Sequence, residues 1–245
     1  MKLQELFHNL CPGFVKRLID PVTLDIDKFI ISSVSELGSE KLLLDAGAGE
    51  CRFKDLLKDV QYVGVDTAWG DQSWNYSKID VACTVDNLPF GANVFDMAIC
   101  TQVLEHVKEP QALINELFRT LKNGGIVCLS APQGWGVHQA PHDYFRFTCY
   151  ALSYLLEKAG FQEISVKQSC GYYGYLANRL TVFPKTLFWQ IENKWLRLAI
   201  SPLEILSYFI FVGLFPLILN SIDFLDRKQN YTLNYFVKGK KINDQ

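Results

Sequence analysis

Between residues 41 and 169 the sequence alternates two textures, and this alternation restricts the fold more than any single motif does. The runs KLLLD (41–45), QYVGVD (61–66), FDMAIC (95–100), GIVCLSA (125–131) and FQEISVKQS (161–169) read as strands, with one more expected near Asp80–Val85. Between them Phe53, Leu56, Leu57 and Val60, then Leu113, Leu117 and Leu121, then Leu152, Leu155, Leu156 and Ala159 recur at helical spacing. Gly124–Gly125 and Gly160 stand where the last two helices would stop. Strands without a polar face, alternating with amphipathic helices, imply a doubly wound α/β fold: a mostly parallel sheet covered on both sides. Such sheets bind ligands at the carboxyl ends of their strands, so the turns that leave the strands should carry the chemistry.

The ends of the chain differ. Leu3, Leu6, Phe7 and Leu10, then Ile26, Phe29 and Ile30, have helical spacing, divided by Pro12 and Pro21. YTLNYFVKGKK (231–241) alternates as a last strand would, yet roughly 60 residues separate it from the sixth strand, far more than an ordinary loop. The expected organisation is an N-terminal helical segment (1–38), a core of 39–172 plus 229–241, and an apolar helical insertion (173–228).

The stretch LLLDAGAGECRF (42–53) ends its apolar run on an acid and two spaced glycines. Gly47 and Gly49 would let the backbone approach a ligand, and the helix expected after them would aim unpaired N–H groups at the same space. Asp45 could accept hydrogen bonds from the turn or from a ligand ammonium. A plain tight turn is the other reading. Asp66 closes the second strand, beside Thr67, and an acid there can hold ribose hydroxyls or cap a helix. Together the turn and the acid favour a nucleoside. A dinucleotide fingerprint would need a third glycine, and GAGECR lacks it.

Lys and Arg total 24 against 26 Asp and Glu, a net charge of −2, so no basic excess points to nucleic acid. Seven scattered cysteines without a CxxC pair suit a reducing compartment. The first residues lack a leader's apolar stretch, so a cytoplasmic location is expected, possible contact with the inner face of the membrane included.

The run VDNLPFGANVFDMAICTQVLEHVKEPQALINELFRTLKNGGIVCLSAP (85–132), with the glycine turn before it, resembles the class I S-adenosylmethionine-dependent methyltransferases. It is nearest the type 11-like group, whose motifs read D-x-G-x-G-x-G, L-P-F, F-D, L-E-H-V and L-K-x-G-G. The resemblance covers residues 40 to 170 and implies a seven-stranded sheet with an antiparallel last strand. It implies S-adenosyl-L-methionine as cofactor, with Asp45, Gly47 and Gly49 around the methionine part and Asp66 on the ribose. It also sets Asp86, Asn87 and Leu88 near the adenine, with Thr84 an alternative to Asp86, and Thr101 beside the sulfonium. Cys51 departs from the pattern, replacing its third glycine.

Methyl transfer needs alignment, and a base only where the acceptor loses a proton. His106 of LEHV is one candidate base; a loop histidine bonded to backbone is its alternative. GVHQAPHDYFRFT (136–148) offers His138 or His142 as base with Asp143 as orienter, or a structural Asp143–Arg146 pair. The His138–His142 spacing spans Pro141 and does not suit a helical ligand pair, so no metal is expected there. L-E-H-V followed by H-D-Y-x-R-F-T is similar to methyltransferases of cell-surface polysaccharide pathways. That likeness points toward a sugar hydroxyl, so a small-molecule or glycan acceptor with a hydroxyl oxygen as target is expected, and a membrane contact through 183–222 would make the acceptor lipid-linked.

ILSYFIFVGLFPLILNSI (205–222) is uncharged, and FPKTLFWQIENKWLRLAI (183–200) mixes aromatic and basic residues as an interfacial helix does. A cap touching a membrane through 183–222, a buried helical hairpin and a dimer contact are the alternatives. A non-catalytic membrane-associated module and a nicotinamide oxidoreductase are the rival functions.

Overall fold

The computed structural model describes residues 21–242, except 71, 72, 189, 190, 192 and 229 and the side chain of Arg197. The described chain divides into two compact units: Ile26–Gln168 with the segment from Asn234, and Ser169–Leu233 with residues 21–25. The expected helical spacing of Leu3 to Leu10 lies outside the described residues.

In the first unit β1 (Leu42–Ala46), β2 (Gln61–Asp66), β3 (Val81–Ala82), β4 (Phe95–Thr101), β5 (Leu121–Pro132), β6 (Phe161–Gln168) and β7 (Asn234–Lys241) form one sheet. Its order is β3-β2-β1-β4-β5-β7-β6. Every pair is parallel except those of β7, which runs antiparallel between β5 and β6. This is the expected doubly wound, mostly parallel fold. The direction of winding reverses between β1 and β4, where such sheets open a crevice beyond their carboxyl ends.

Three helices complete this unit: α1 (Pro21–Ser35) from Ile26 onward, α2 (Pro110–Thr120) and α3 (Cys149–Ala159). Leu113 and Leu117 of α2 and Leu152 and Leu156 of α3 bury against Leu44, Ala46, Ala98, Val127 and Leu129. The alternate strand residues Leu43, Met97, Ile99 and Cys128 are equally buried on the opposite face. Burial on both faces is why these strands read as unbroken apolar runs. On the second face Phe29 of α1 stacks against Phe236, their ring centroids 5.1 Å apart. Thr148 caps α3 by accepting the Ala151 N–H, and Gly160 ends it in a left-handed conformation at φ 102°.

Three expectations need correction. No helix follows the glycine turn: residues 49–56 make successive turns closed by bonds such as Cys51 N–H to Ala48 O and Leu57 N–H to Phe53 O. Few residues separate Gly49 from Gln61, and Cys51 already has a left-handed φ of 55°, which a right-handed helix cannot take up. Leu121 opens β5 instead of closing α2, so Gly124 (φ 81°) sits inside the β5 segment and does not cap a helix. The expected N-terminal segment is also divided. Ile26 and Ile30 are buried, and α1 from Ile26 onward belongs to the sheet unit.

The second unit holds α4 (Tyr172–Thr181), α5 (Phe183–Phe188), α6 (Lys194–Tyr208) and α7 (Phe215–Ser221). Asp223 accepts the N–H groups of Gly171 and Gly174, which satisfies the start of α4. The single helix expected over 183–200 is two, the second capped by Asn193 through the Trp195 and Leu196 N–H groups. A π-turn at Phe209–Leu214 joins α6 to α7. Pro216 stands in the first turn of α7, where its missing N–H is tolerated, so the helix continues through it.

Candidate active site

Two groups of residues meet at the carboxyl ends of the central strands. The first surrounds the glycine turn after β1. The N–H groups of Gly47 and Ala48 both donate to Val65 O of β2, at 2.8 and 2.9 Å, which stitches the turn onto the next strand. Gly47 has φ 81°, and a Cβ there would lie 2.3 Å from Val103 Cγ2. Gly49 has φ 54°, and its Cβ would lie 3.0 Å from the Trp74 ring. Both glycines are therefore demanded by backbone conformation and by neighbours within the chain itself. Cys51, at the family's third glycine, keeps the left-handed backbone but carries a buried side chain. The pattern at that position is conformational, and a small thiol meets it.

Asp66 anchors the turn from β2. One carboxylate oxygen accepts Gly49 N–H at 2.9 Å and the other accepts Ala68 N–H at 2.9 Å. Oδ1 also lies 3.5 Å from the Thr67 hydroxyl, so Oδ2 keeps a free lone pair and Oδ1 can exchange that long bond for a ligand hydroxyl. Thr67 is exposed beside it and its hydroxyl accepts the Trp69 N–H. Asp45 is buried, with Oδ2 bonded by the Tyr62 hydroxyl at 2.5 Å and Oδ1 unpartnered. Burial pushes its carboxyl up to about 7. Two acids beside the turn and no helix N-terminus make a poor receptor for a pyrophosphate and a good one for a cationic nucleoside. The donor set fits S-adenosylmethionine, which carries an ammonium, a sulfonium and a ribose diol.

The remaining residues expected near the cofactor divide. Asp86 and Asn87 are exposed in the turn between β3 and β4, and Thr101 ends β4, half-buried. Leu88 is buried, its N–H donating to Glu116 Oε2 at 2.8 Å and its carbonyl accepting Arg119 Nη2 at 3.0 Å. Its polar backbone groups are spent on holding the loop, so it can offer a ligand only an apolar surface.

The second group lies on the turn after β4 and the loop after β5. A single 3₁₀ turn, Leu104–His106, presents Glu105 and His106. The carbonyl of Glu105 accepts Tyr144 N–H at 2.8 Å, which ties the later loop to this turn. Asp143 forms a two-pronged pair with Arg146 (2.6 and 2.8 Å), and this holds its carboxyl well below the usual carboxylate range. Arg146 also donates to the carbonyls of Trp135 and Gly136, making it the clasp of the loop.

The chain places the candidate bases as follows. His106 and His138 stack edge to face, centroids 4.8 Å apart. His138 Nδ1 is 3.4 Å from Asp143 Oδ2, so the acid both pairs with Arg146 and faces this histidine. His142 turns away: its Nδ1 meets the Tyr144 hydroxyl at 3.0 Å and only its carbonyl faces His106. Sequence reasoning missed Glu105, fully buried with one carboxylate oxygen 3.8 and 4.0 Å from the Nε2 atoms of His106 and His138, because a lone acid in LEHV looks like a surface residue. It also missed Gln102, held at φ 55° by bonds to Ser130 and Asn234, and Trp74.

A doubly wound sheet with an antiparallel seventh strand, opening on a glycine turn backed by two acids, defines the class I S-adenosylmethionine-dependent methyltransferase fold. Residues 44–129 match the family model of the methyltransferase domain, and with the fold this supports a class I S-adenosylmethionine-dependent methyltransferase, with S-adenosylmethionine as cofactor. A Methanocaldococcus jannaschii protein of uncharacterised role is 31% identical over 121 residues, 46% of this chain and 52% of its own. An uncharacterised methyltransferase of Mycobacterium leprae is 34% identical over 98 residues, 37% of this chain and 36% of its own. The chain thus spans about half, or less, of the curated relatives it matches. A solved S-adenosylmethionine-dependent methyltransferase from Archaeoglobus fulgidus superposes with TM-score 0.56 at 15% identity. It covers 98% of this chain and 100% of its own.

Proposed function

We propose that this chain transfers a methyl group from S-adenosylmethionine to a hydroxyl oxygen of a small-molecule or glycan acceptor. The observation that carries the reading is the convergence of Glu105, His106 and His138 beside the glycine turn, with Val103 of the same segment packed on Gly47. An alcohol needs a group that handles its proton, whereas an amine or thiolate needs less help. When bound, the cofactor supplies a methyl group on a sulfonium, which the oxygen lone pair takes while the carbon–sulfur electron pair stays on sulfur. The role of Asp66 is to hold the ribose, that of Asp45 to balance positive charge, and that of the Asp143–Arg146 pair to fix the loop bearing His138.

Asp66→Ala is expected to weaken S-adenosylhomocysteine binding by about 1–3 kcal/mol through lost hydrogen bonds. Calorimetry checks this, and unaltered affinity would remove Asp66 from the site. Methyl transfer from labelled cofactor into fractionated glycan and lipid extracts tests the acceptor. A label found only in protein or nucleic acid would contradict it.

The second unit favours a lipid-linked acceptor reached at the inner membrane face. The helical run Leu198–Leu225 contains an 18-residue window of mean hydropathy 2.1, only 11% of it buried. Leu198, Leu203, Ile205, Phe209, Leu217 and Ile218 are exposed on it. The strands before and after this run, β6 and β7, pair with each other, so a single crossing of a bilayer is incompatible with the sheet. A helix lying against one leaflet is compatible. The intact protein is expected to co-sediment with anionic vesicles, and removal of 183–222 to abolish that; intact protein left in the supernatant would sink the membrane reading.

A further inference from the structure

Glu105, His106 and His138 carry more than proton handling. Neither carboxylate oxygen of Glu105 is hydrogen-bonded to another residue, although the side chain is wholly buried. One oxygen lies 3.8 Å from His106 Nε2 and 4.0 Å from His138 Nε2. His106 Nδ1 is 2.5 Å from the His142 carbonyl, which can only accept, so the ring proton sits on Nδ1 and the Nε2 lone pair points at Glu105. That Nε2 is itself buried and unpartnered. His138 Nδ1 faces Gly136 O at 3.2 Å and Asp143 Oδ2 at 3.4 Å, with Arg146 Nη2 at 3.5 Å. Two acceptors against one long donor put its proton on Nδ1 as well, turning its Nε2 lone pair inward.

A carboxylate and two imidazole nitrogens thus share one small space, all three ligand atoms within 4.8 Å of one another. Both Glu105 oxygens and His106 Nε2 are buried without a hydrogen-bond partner, which is costly, and the partly exposed His138 brings its nitrogen to the same place from the rim. A cation among them removes the cost.

We propose that Glu105 and the Nε2 atoms of His106 and His138 form a site for one divalent cation of the borderline class: zinc, manganese, cobalt or ferrous iron. Two imidazoles and one carboxylate suit these ions better than magnesium or calcium, which prefer all-oxygen shells. Bonds of about 2.1 Å place tetrahedral ligand atoms about 3.4 Å apart, so on loading the two Glu105–histidine separations close by roughly half an ångström and the two histidine nitrogens, within 4.8 Å of each other, by up to about 1.4 Å. Outer partners are already in place, a carbonyl behind His106 and Asp143 behind His138, as ligating histidines require. Three protein ligands leave a coordination position open. The segment bearing two of them starts at Val103 against Gly47, so that position borders the cofactor crevice. Its role, unlike its existence, rests on the methyl-transfer reading: the open position receives the acceptor hydroxyl and lowers its pKa, the proton leaving to solvent.

The test is metal analysis of tag-free protein, stripped with chelator, reloaded with zinc or manganese and dialysed, alongside cobalt titration followed by visible absorption. Wild type is expected to retain one equivalent and to give cobalt ligand-field bands. Glu105→Gln and His138→Asn are expected to bind more than about 100-fold more weakly, a larger loss than removing an outer partner causes. His142→Ala, which keeps the backbone carbonyl, retains the ion. S-adenosylhomocysteine affinity, measured on the same samples, is unchanged in all three variants and shows them folded. Wild type without bound metal, or variants that bind as wild type does, would overturn the site. Wild type that binds metal but no S-adenosylhomocysteine would instead remove the methyltransferase reading and leave the site standing.

Discussion

Gly47→Ala is expected to lower stability by about 2–4 kcal/mol and to abolish measurable cofactor binding. Two costs coincide at this position. The backbone is held at φ 81°, and the new methyl would lie 2.3 and 2.9 Å from the two Val103 methyls. The turn cannot relax away, because Gly47 and Ala48 both donate to Val65 O and Gly49 donates to Asp66. The double variant Gly47→Ala, Val103→Ala removes the collision but not the backbone strain, so it should recover only part of the stability. Gly136→Ala, where a Cβ meets nothing within 4 Å, serves as the control. Denaturant unfolding and calorimetry with S-adenosylhomocysteine read both effects. A Gly47→Ala protein as stable as wild type would mean that the turn is built differently.

Glu105→Gln has the second large effect, and its sign depends on pH and metal. Burial raises the Glu105 carboxyl from 4.5 to about 8. The unfolded chain ionises near the ordinary value, so this group's favourable contribution is complete below about pH 4.5 and is lost as pH rises towards 8. Glutamine carries no such dependence. In chelator the variant is therefore expected to gain about 2–4 kcal/mol over wild type at pH 8, and little at pH 4. Asp45, raised to about 7, gives both proteins a fall of the same sign, and it cancels in the difference. His106 is lowered by burial and opposes folding at acid pH in both, so it cancels too. Added zinc should reverse the order at pH 8, because only wild type then holds the ion. Equal pH dependence in the two proteins would show that the Glu105 carboxyl is not buried as described.

Much of the sheet was legible because burial on both faces leaves a simple signature. Runs such as LLLDA and FDMAICT have no polar face, and their ends fell within a residue or so of the observed strands. The helix wrongly expected after Gly49 shows the limit of periodicity. Phe53 and Leu57 are buried from a series of turns, and apolar side chains spaced for a helix can satisfy the same core without one. Leu121 failed for a related reason, since a buried leucine suits the end of a helix and the start of a strand equally well. At the site, Asp66 announced itself by its place at a strand end. Glu105 did not, because its burial depends on His106 and on a loop about 30 residues further along the chain. Only the fold brings these together. The pairing of Asp143 with Arg146, at a spacing of three, was readable as an alternative but not separable from a catalytic role without coordinates.

The central claim is that a cationic nucleoside occupies the crevice where β1 and β2 end. Titration of the wild-type protein with S-adenosylhomocysteine in a calorimeter, with NAD as the comparison ligand, addresses it most directly. One saturable site for S-adenosylhomocysteine, weakened by Asp66→Ala, and no heat from NAD are the expected result. Binding of NAD in its place, or no binding of either, would contradict the account.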